Sequence, residues 1–313
     1  MQPTVGVVVP AYHPDLGRLR TYLRAIRETI DPDELRVELD LPNGARGAGD
    51  GDAAATASTT PGSGSEDSVS FALPDDVDCR VVRRRRGKGA AVTAGFEALS
   101  TDVYAFADAD GATPASSLAD VIAPVRDGDA DLAAGSRRHP DSVVRSHQTF
   151  ARRFLGDGFA WIARRLLDAE LYDYQCGAKA ITATAWERAR DHLYEPGFAW
   201  DIELVAVAAG LDYRILEVPV AWEDQPGSTV SPVSDTLDMG RGLLVARHRA
   251  RLIRDDRLHR LIDREDGVAL IDRPDDSGAV SDGGAAPGAA GEHDGTEGEH
   301  VASDDDPDGT ESR

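Results

Sequence analysis

The sequence predicts an α/β fold with three layers, a mostly parallel central sheet carrying helices on both faces. Three observations predict it. Residues 5–9 form a continuous apolar run closed by Pro10, the composition of a strand buried on both faces. Leu16, Leu19, Leu23, Ile26 and Ile30 then recur at helical spacing and give one apolar stripe. This alternation of short apolar runs and helical stripes repeats through the first half of the chain.

Taken in order, residues 35–39 read as a second strand. Residues 43–70 hold Gly, Ala, Ser, Thr and Asp without a period and read as a long flexible insertion. Residues 79–82 are a third strand, and Gly87-Lys88-Gly89 opens a helix that runs to about residue 99. Residues 103–107 are a fourth strand ending at Asp108. A helix around 117–126 precedes a strand at 131–134, which ends in Gly135-Ser136-Arg137. The second half reads as an amphipathic helix over 148–167, an extended stretch over 172–181, a helix over 201–209 and a strand over 215–221. A last helix over 235–254 carries Met239, Leu243, Ala246, Ala250 and Ile253 on one stripe, with Arg241, Arg247, Arg249, Arg251 and Arg254 off it.

Composition sets the outer bounds. The 313 residues include 41% hydrophobic ones, enough to bury a sizeable core. Net charge is −22, and residues 272–313 contribute 13 acidic against 2 basic residues. That stretch lacks the apolar surface to offset its ordering entropy and is expected to be disordered. Of 34 basic residues only Lys88 and Lys179 are lysine. An acidic chain almost free of lysine suggests a salt-rich cytoplasm, although a GC-rich codon bias would also favour Arg. The run Arg83 to Arg86 reads as a solvated charge run, so no nucleic-acid partner is expected. Cys79 and Cys176 form no disulfide framework. The N-terminus has no basic leader and no segment is long enough to span a bilayer, so the expected place is the cytoplasm, or peripherally the inner face of the cell membrane.

Four constellations carry chemistry. In Phe106-Ala107-Asp108-Ala109-Asp110-Gly111 two carboxylates lie two residues apart, on one face of an extended backbone. At a strand end both reach one hard cation, Mg²⁺ or Mn²⁺, which prefers oxygen ligands and joins carboxylates to substrate phosphates. Alone the pattern arises by chance in a chain this rich in Asp; its place after an apolar strand is what counts. In Arg86-Gly87-Lys88-Gly89, two glycines at a helix start would let the backbone approach a phosphate. The spacing of a Walker loop is absent. Arg137 ends a strand and offers bidentate bonds to phosphate oxygens. Arg152 follows in an amphipathic segment, where a plain surface charge is the alternative reading. Asp173-Tyr174-Gln175-Cys176-Gly177-Ala178-Lys179 is either a turn or a functional loop, and its rare lysine favours function.

The segments V-G-V-V-V-P-A-Y (5–12), R-G-K-G-A-A-V (86–92), F-A-D-A-D-G-A-T (106–113), G-S-R (135–137) and D-Y-Q-C-G-A-K (173–179) occur in this order. Together they resemble the family-2 glycosyltransferases of the Rossmann-like GT-A fold, and among these most of all the dolichyl-phosphate β-glucosyltransferase branch, in a form suited to haloarchaea. The segments at 198–204 and 218–222, Gly227-Ser228 and Met239-Gly240 fit the same resemblance, which covers roughly residues 4–254.

The resemblance implies an inverting transfer of a hexose from a nucleotide sugar, UDP-glucose, to a polyprenyl or dolichyl phosphate in protein glycosylation. It assigns the metal to Asp108 and Asp110, with Mg²⁺ or Mn²⁺ as cofactor. Pro10, Tyr12, Asp40, Lys88, Asp108, Arg137, Arg152, Gln175 and Lys179 would face the donor and its phosphates. Asp173 and Asp201 are the catalytic candidates, with Asp201 and Glu203 also readable as braces of an acceptor helix. The chain departs from the family at His13-Pro14, at Leu41 after Asp40, and at Thr229 where a lysine is usual. The competing readings are the same fold acting on a glycan or protein hydroxyl, and a non-catalytic nucleotide-sugar-binding module. The expected organisation is a catalytic domain over 1–225, an amphipathic helical segment over 226–262 that could lie on a membrane, and a disordered acidic tail over 263–313.

Overall fold

Val5–Tyr12 forms β1 at the centre of the computed structural model, which describes residues 2–42, 73–145, 150–223, 234–255 and 267–273. Its side chains alternate faces. Val5, Val7 and Val9 pack with Leu19, Leu23 and Ile26 of α1 (Leu16–Ile30), and Val8 packs on the opposite face. Asp15 caps α1 by accepting the N–H of Arg18 at 3.0 Å, and Asp31 closes it in the left-handed region at φ 47°.

The remaining strands are β2 (Glu34–Asp40), β3 (Asp78–Val82), β4 (Val103–Ala107), β5 (Leu132–Ser136), β7 (Ala178–Thr182) and β8 (Ile215–Pro219). They build one seven-stranded sheet in the order β3-β2-β1-β4-β7-β5-β8. All neighbours are parallel except β7, which runs antiparallel to both β4 and β5. One face carries α1 and α3 (Ala115–Arg126). The other carries α2 (Lys88–Glu97), α4 (Phe150–Leu166), α5 (Ala183–Ala189), α6 (Trp200–Gly210) and α7 (Ser234–Ile253). The three-layer α/β/α architecture is the expected one.

Two expected strands differ. The stretch 172–181 is strand only from Ala178, because Asp173 and Tyr174 turn the chain inward. Tyr174 is buried and its hydroxyl donates to the Ala169 carbonyl at 2.5 Å. The stretch 215–221 breaks at Val220, whose N–H donates to Ser136 O at 3.1 Å. The chain then enters a second, two-stranded sheet in which β9 (Ala221–Glu223) pairs parallel to β6 (Val143–Arg145).

Every residue of α6 is buried, the charged Asp201 and Glu203 included. The stripe of α7 packs on the same cluster through Leu243, Ala246 and Ala250. Its arginines turn to the protein as well. Arg247 donates to Leu166 O at 2.5 Å, Arg249 pairs with Glu203, and Arg251 and Arg254 both meet Asp168. Four of the arginines off that stripe therefore have partners within the protein. The tail expected from residue 263 is corrected at 267–273, where Leu270 is buried and its N–H donates to Leu193 O at 2.8 Å. The expected insertion at 43–70, Thr229 and the remainder of the tail lie outside the described residues. Among the described residues no helix is long and apolar enough to cross a membrane.

Candidate active site

Antiparallel β7 explains where the site forms. Parallel strands bring their carboxyl ends to one edge of the sheet, where ligands bind in open α/β folds. An antiparallel strand starts at that edge, so the loop 172–177 before β7 is delivered onto the ends of β4 and β5. The N–H of Asp108, just past β4, donates to Gly177 O at 2.9 Å. A Cβ on Gly177 would overlap the Asp108 carboxylate, so this glycine makes room for a side chain of the same chain.

Asp108 is partly open, with 43% of its side chain exposed. Asp110 is exposed and its Oδ1 accepts the Ala112 N–H at 2.9 Å, in a turn where Gly111 adopts φ 67°. Tyr22 of α1 lies beneath the turn and donates its hydroxyl to Thr113 O at 2.8 Å. Burial, and then the charges of Asp108 and Asp110, push that hydroxyl above the ordinary tyrosine range.

Beneath Asp108 lies a buried cluster. Lys88 places its Nζ 2.9 Å from Asp108 Oδ1 and 2.8 Å from Asp201 Oδ2. Lys179 places its Nζ 2.8 Å from Asp201 Oδ1 and donates to Cys176 O at 2.8 Å. Both ammoniums lie over the Phe106 ring, at 5.0 and 5.8 Å from its centroid. Burial works against the charge on Asp201, but Lys179 and then Lys88 outweigh it and hold its carboxyl below the ordinary range. Two lysines and two aspartates compensate one another, which is what makes so buried a group of charges tolerable.

Beside this cluster Asp173, 3% exposed, is gripped by Arg137 through Nε at 2.6 Å and Nη2 at 3.0 Å. Its burial opposes charge, yet the guanidinium holds its carboxyl well below the usual range. Glu217 of β8 accepts the N–H groups of Tyr172 and Asp173, both at 2.8 Å, and so fixes the loop. Cys176 is wholly buried and its thiol is pushed up to about 11, chiefly by burial, which leaves it inert.

Other expected site residues lie outside this cluster of contacts. Asp40, 2% exposed, is taken by Arg86, which bonds Oδ1 through Nε at 2.7 Å and also reaches Glu38. Pro10 sits inside β1 opposite Glu38. Tyr12 is 43% exposed at the end of β1 with the Arg85 guanidinium 4.6 Å from its ring centroid. Gln175 sets its Nε2 against Met239 Sδ of α7. The side chain of Arg152 lies outside the described residues.

The glycines of the 86–89 motif also differ from expectation. A Cβ on Gly87, which adopts φ 98°, would overlap Pro196 O, and one on Gly89 would strike Glu195 O and Trp200. The N–H of Ala90 donates to Pro196 O at 3.1 Å. The close approach that these glycines permit in this structure is that of the 195–197 loop, which makes the motif a packing surface. Glu203, one of the two braces that the resemblance suggests, holds this loop through the N–H groups of Tyr194 and Glu195, whereas Glu217 carries no motif and nothing in the sequence signalled its role.

Residues 62–175 match the model of glycosyl transferase family 2. Glycosyltransferase AglD of Haloferax volcanii is 35% identical over 163 residues, covering 51% of this chain and 25% of that protein. The dolichyl-phosphate beta-glucosyltransferase of Mus musculus is 33% identical over 180 residues, 56% of each chain. The chain thus spans a quarter of the one relative and about half of the other. Among solved structures, glucosyl-3-phosphoglycerate synthase of Mycobacterium tuberculosis, in complex with Mn²⁺, UDP-glucose and phosphoglyceric acid, superposes with a TM-score of 0.50. That likeness covers 78% of this chain and 80% of the other at 17% identity, and it identifies the fold as GT-A.

Proposed function

We propose that this chain, which carries a glycosyl transferase family 2 domain, moves a hexose from a nucleotide sugar to a polyprenyl phosphate of the dolichyl type, with inversion. The observation that carries the acceptor assignment is the state of the buried carboxylates. Asp173 is committed to Arg137, and Asp201 to Lys88 and Lys179. Neither is placed to take a proton. A hydroxyl acceptor needs a base; a phosphate monoester, with a second pKa of about 6, arrives already ionised.

The donor in this reading is UDP-glucose. Asp108 and Asp110 would hold Mg²⁺ or Mn²⁺, and the donor set fits such an ion: hard carboxylate oxygens, partly open, at the end of a strand. Among the described residues no group of three or more His, Cys, Asp or Glu forms a metal cage, so phosphate and water oxygens would complete the shell. When bound, the ion neutralises charge on the departing diphosphate. Arg137, held in plane by Asp173, supplies a fixed cationic fork for phosphate oxygens. An acceptor phosphate oxygen forms the bond to the anomeric carbon. The bond to the diphosphate breaks, and the nucleoside diphosphate leaves with the electron pair.

A lipid acceptor places the chain at a cytoplasmic membrane surface. The exposed Trp161 of α4, stacked by Arg165 at 4.9 Å, and the exposed Leu244 of α7 suit such an interface. The test is the purified chain in concentrated salt with Mn²⁺, UDP-glucose and dolichyl phosphate. A glucosylated lipid is expected from the wild type and none from Asp110→Ala. Undiminished activity in that variant removes the metal reading, and transfer only to hydroxyl acceptors overturns the lipid.

A further inference from the structure

Of 34 basic side chains 32 are arginine, and the two lysines, Lys88 and Lys179, meet on one carboxylate, Asp201. In a chain that otherwise uses arginine for every permanent cation, a position that keeps lysine calls for something arginine does not offer. A guanidinium is a rigid planar fork. An ammonium is a compact charge with three donors that turn about the last bond of the side chain.

Lys179 has no freedom to use. Its side chain is 1% exposed, and its Nζ is held by Asp201 Oδ1 and Cys176 O, each at 2.8 Å. Lys88 spans two groups of different exposure. It bonds Asp201, which is sealed in the core, and Asp108, whose side chain is 43% exposed while that of Lys88 is 8% exposed. The ammonium therefore covers Asp108 from the protein side, and solvent reaches the carboxylate from elsewhere.

We infer that Lys88 is an exchangeable internal counter-ion: it occupies Asp108 Oδ1 until a divalent cation takes that carboxylate, and then, still anchored on Asp201, presents the freed N–H to an oxygen of the donor diphosphate. This rests on the reading of Asp108 as a metal ligand. One carboxylate oxygen does not serve an ammonium and a divalent ion at full strength, because the two cations repel at so short a distance. Rotation about the terminal bond lets Lys88 change one acceptor while keeping the other, which the fork of an arginine does not allow. The diphosphate supplies the acceptor that the metal removes, so metal and donor favour each other's binding. Asp201 is in this account a positioning residue: it keeps Lys88 at the site throughout the exchange.

The experiment is a Mn²⁺ titration of the full chain followed by the electron paramagnetic resonance signal of the free ion, without nucleotide, in one concentrated salt buffer. Lys88→Met removes the competitor and should bind Mn²⁺ about ten-fold more tightly than wild type, within the usual span of coupling between sites. Lys179→Met removes an equal charge that does not touch Asp108 and should stay closer to wild type. Lys88→Arg keeps the charge and should show no gain. If Lys88→Met does not melt cooperatively, Lys88→Gln, which keeps a hydrogen bond to Asp201, decides in its place. A folded Lys88 variant lacking the charge that binds Mn²⁺ no more tightly than wild type overturns the inference. Asp108→Asn separates the two levels of the argument. If it abolishes Mn²⁺ binding while the Lys88 variants change nothing, the counter-ion fails and the metal site stands. If wild type and Asp108→Asn behave alike, the metal reading fails and takes the counter-ion with it.

Discussion

Asp173 receives three donors from one residue: the Nε of Arg137 at 2.6 Å, its Nη2 at 3.0 Å and its backbone N–H at 3.1 Å. The pair lies where β5 ends and the loop before β7 begins, so the antiparallel strand brings the two together. A carboxylate so used orients the arginine and does not itself react.

The pH dependence of transfer follows from this. A carboxyl held below its unfolded value of about 3.9 stabilises the fold fully above that pH, and the contribution is lost only as pH falls through the lower folded value. Across a working range of about pH 5–9 Asp173 stays charged, and kcat/KM carries no acid limb from it. The limb that remains belongs to the acceptor phosphate, near its second pKa of about 6. Asp173→Asn should lower kcat by about 10²-fold through loss of Arg137 alignment and leave that limb in place. A limb that vanishes or moves in the variant would return Asp173 to the role of base.

Gly177→Ala tests the packing of Asp108. The added Cβ falls on the carboxylate, which must move, since Asp108 N remains tied to Gly177 O. Displacing a ligand by about 1 Å costs on the order of 10²-fold in rate. The expected result is that loss, with weakened Mn²⁺ binding and an unchanged circular dichroism spectrum. Full activity would show that Asp108 has no fixed place.

How far the sequence carries is clearest residue by residue. Strands β1 and β4 were legible because burial on both faces demands unbroken apolar runs. Asp108 stood out by its place after a strand and Lys179 by its rarity, and the fold joins the two through Lys88 and Asp201. The direction of β7 was not, because no residue pattern distinguishes a parallel from an antiparallel partner within a mixed sheet. The function of Glu217 was hidden for a related reason: a glutamate that accepts loop N–H groups 45 residues away looks like any strand glutamate. Gly87 and Gly89 announced a close approach correctly, but not that the approaching group is the carbonyl of Pro196 or Glu195.

That last distinction is measurable. If Gly89 served a phosphate, Gly89→Ala would weaken donor binding at unchanged stability. With its Cβ against Glu195 O and Trp200, the variant should instead lose about 1–3 kcal/mol of stability by overpacking. Thermal melts give the loss, and calorimetry with UDP-glucose at a temperature where both proteins are folded gives the affinity. Lost affinity without lost stability would restore the phosphate cradle.

The link from α7 to the site runs through Glu203, 2% exposed, which accepts the N–H groups of Tyr194 and Glu195 at 2.9 and 2.8 Å and pairs with Arg249. Burial already raises the Glu203 carboxyl, with Arg249 and the two N–H groups opposing that rise. Arg249→Met removes the chief opposing charge and leaves a buried carboxylate unpaired, at a cost of about 3 kcal/mol. In a domain of this size that lowers Tm by roughly 6–12 °C. The sign of the pH dependence follows from the raised carboxyl. Its protonated form is favoured in the folded state, so stability is highest below the unfolded pKa of about 4.3 and falls as pH rises towards the folded value. The variant, in which that value is higher still, should therefore lie near wild type at pH 5 and fall progressively behind it by pH 8. Melting curves of both proteins at the two pH values decide the matter, and a deficit that stays constant or narrows would mean that Arg249 does not neutralise Glu203.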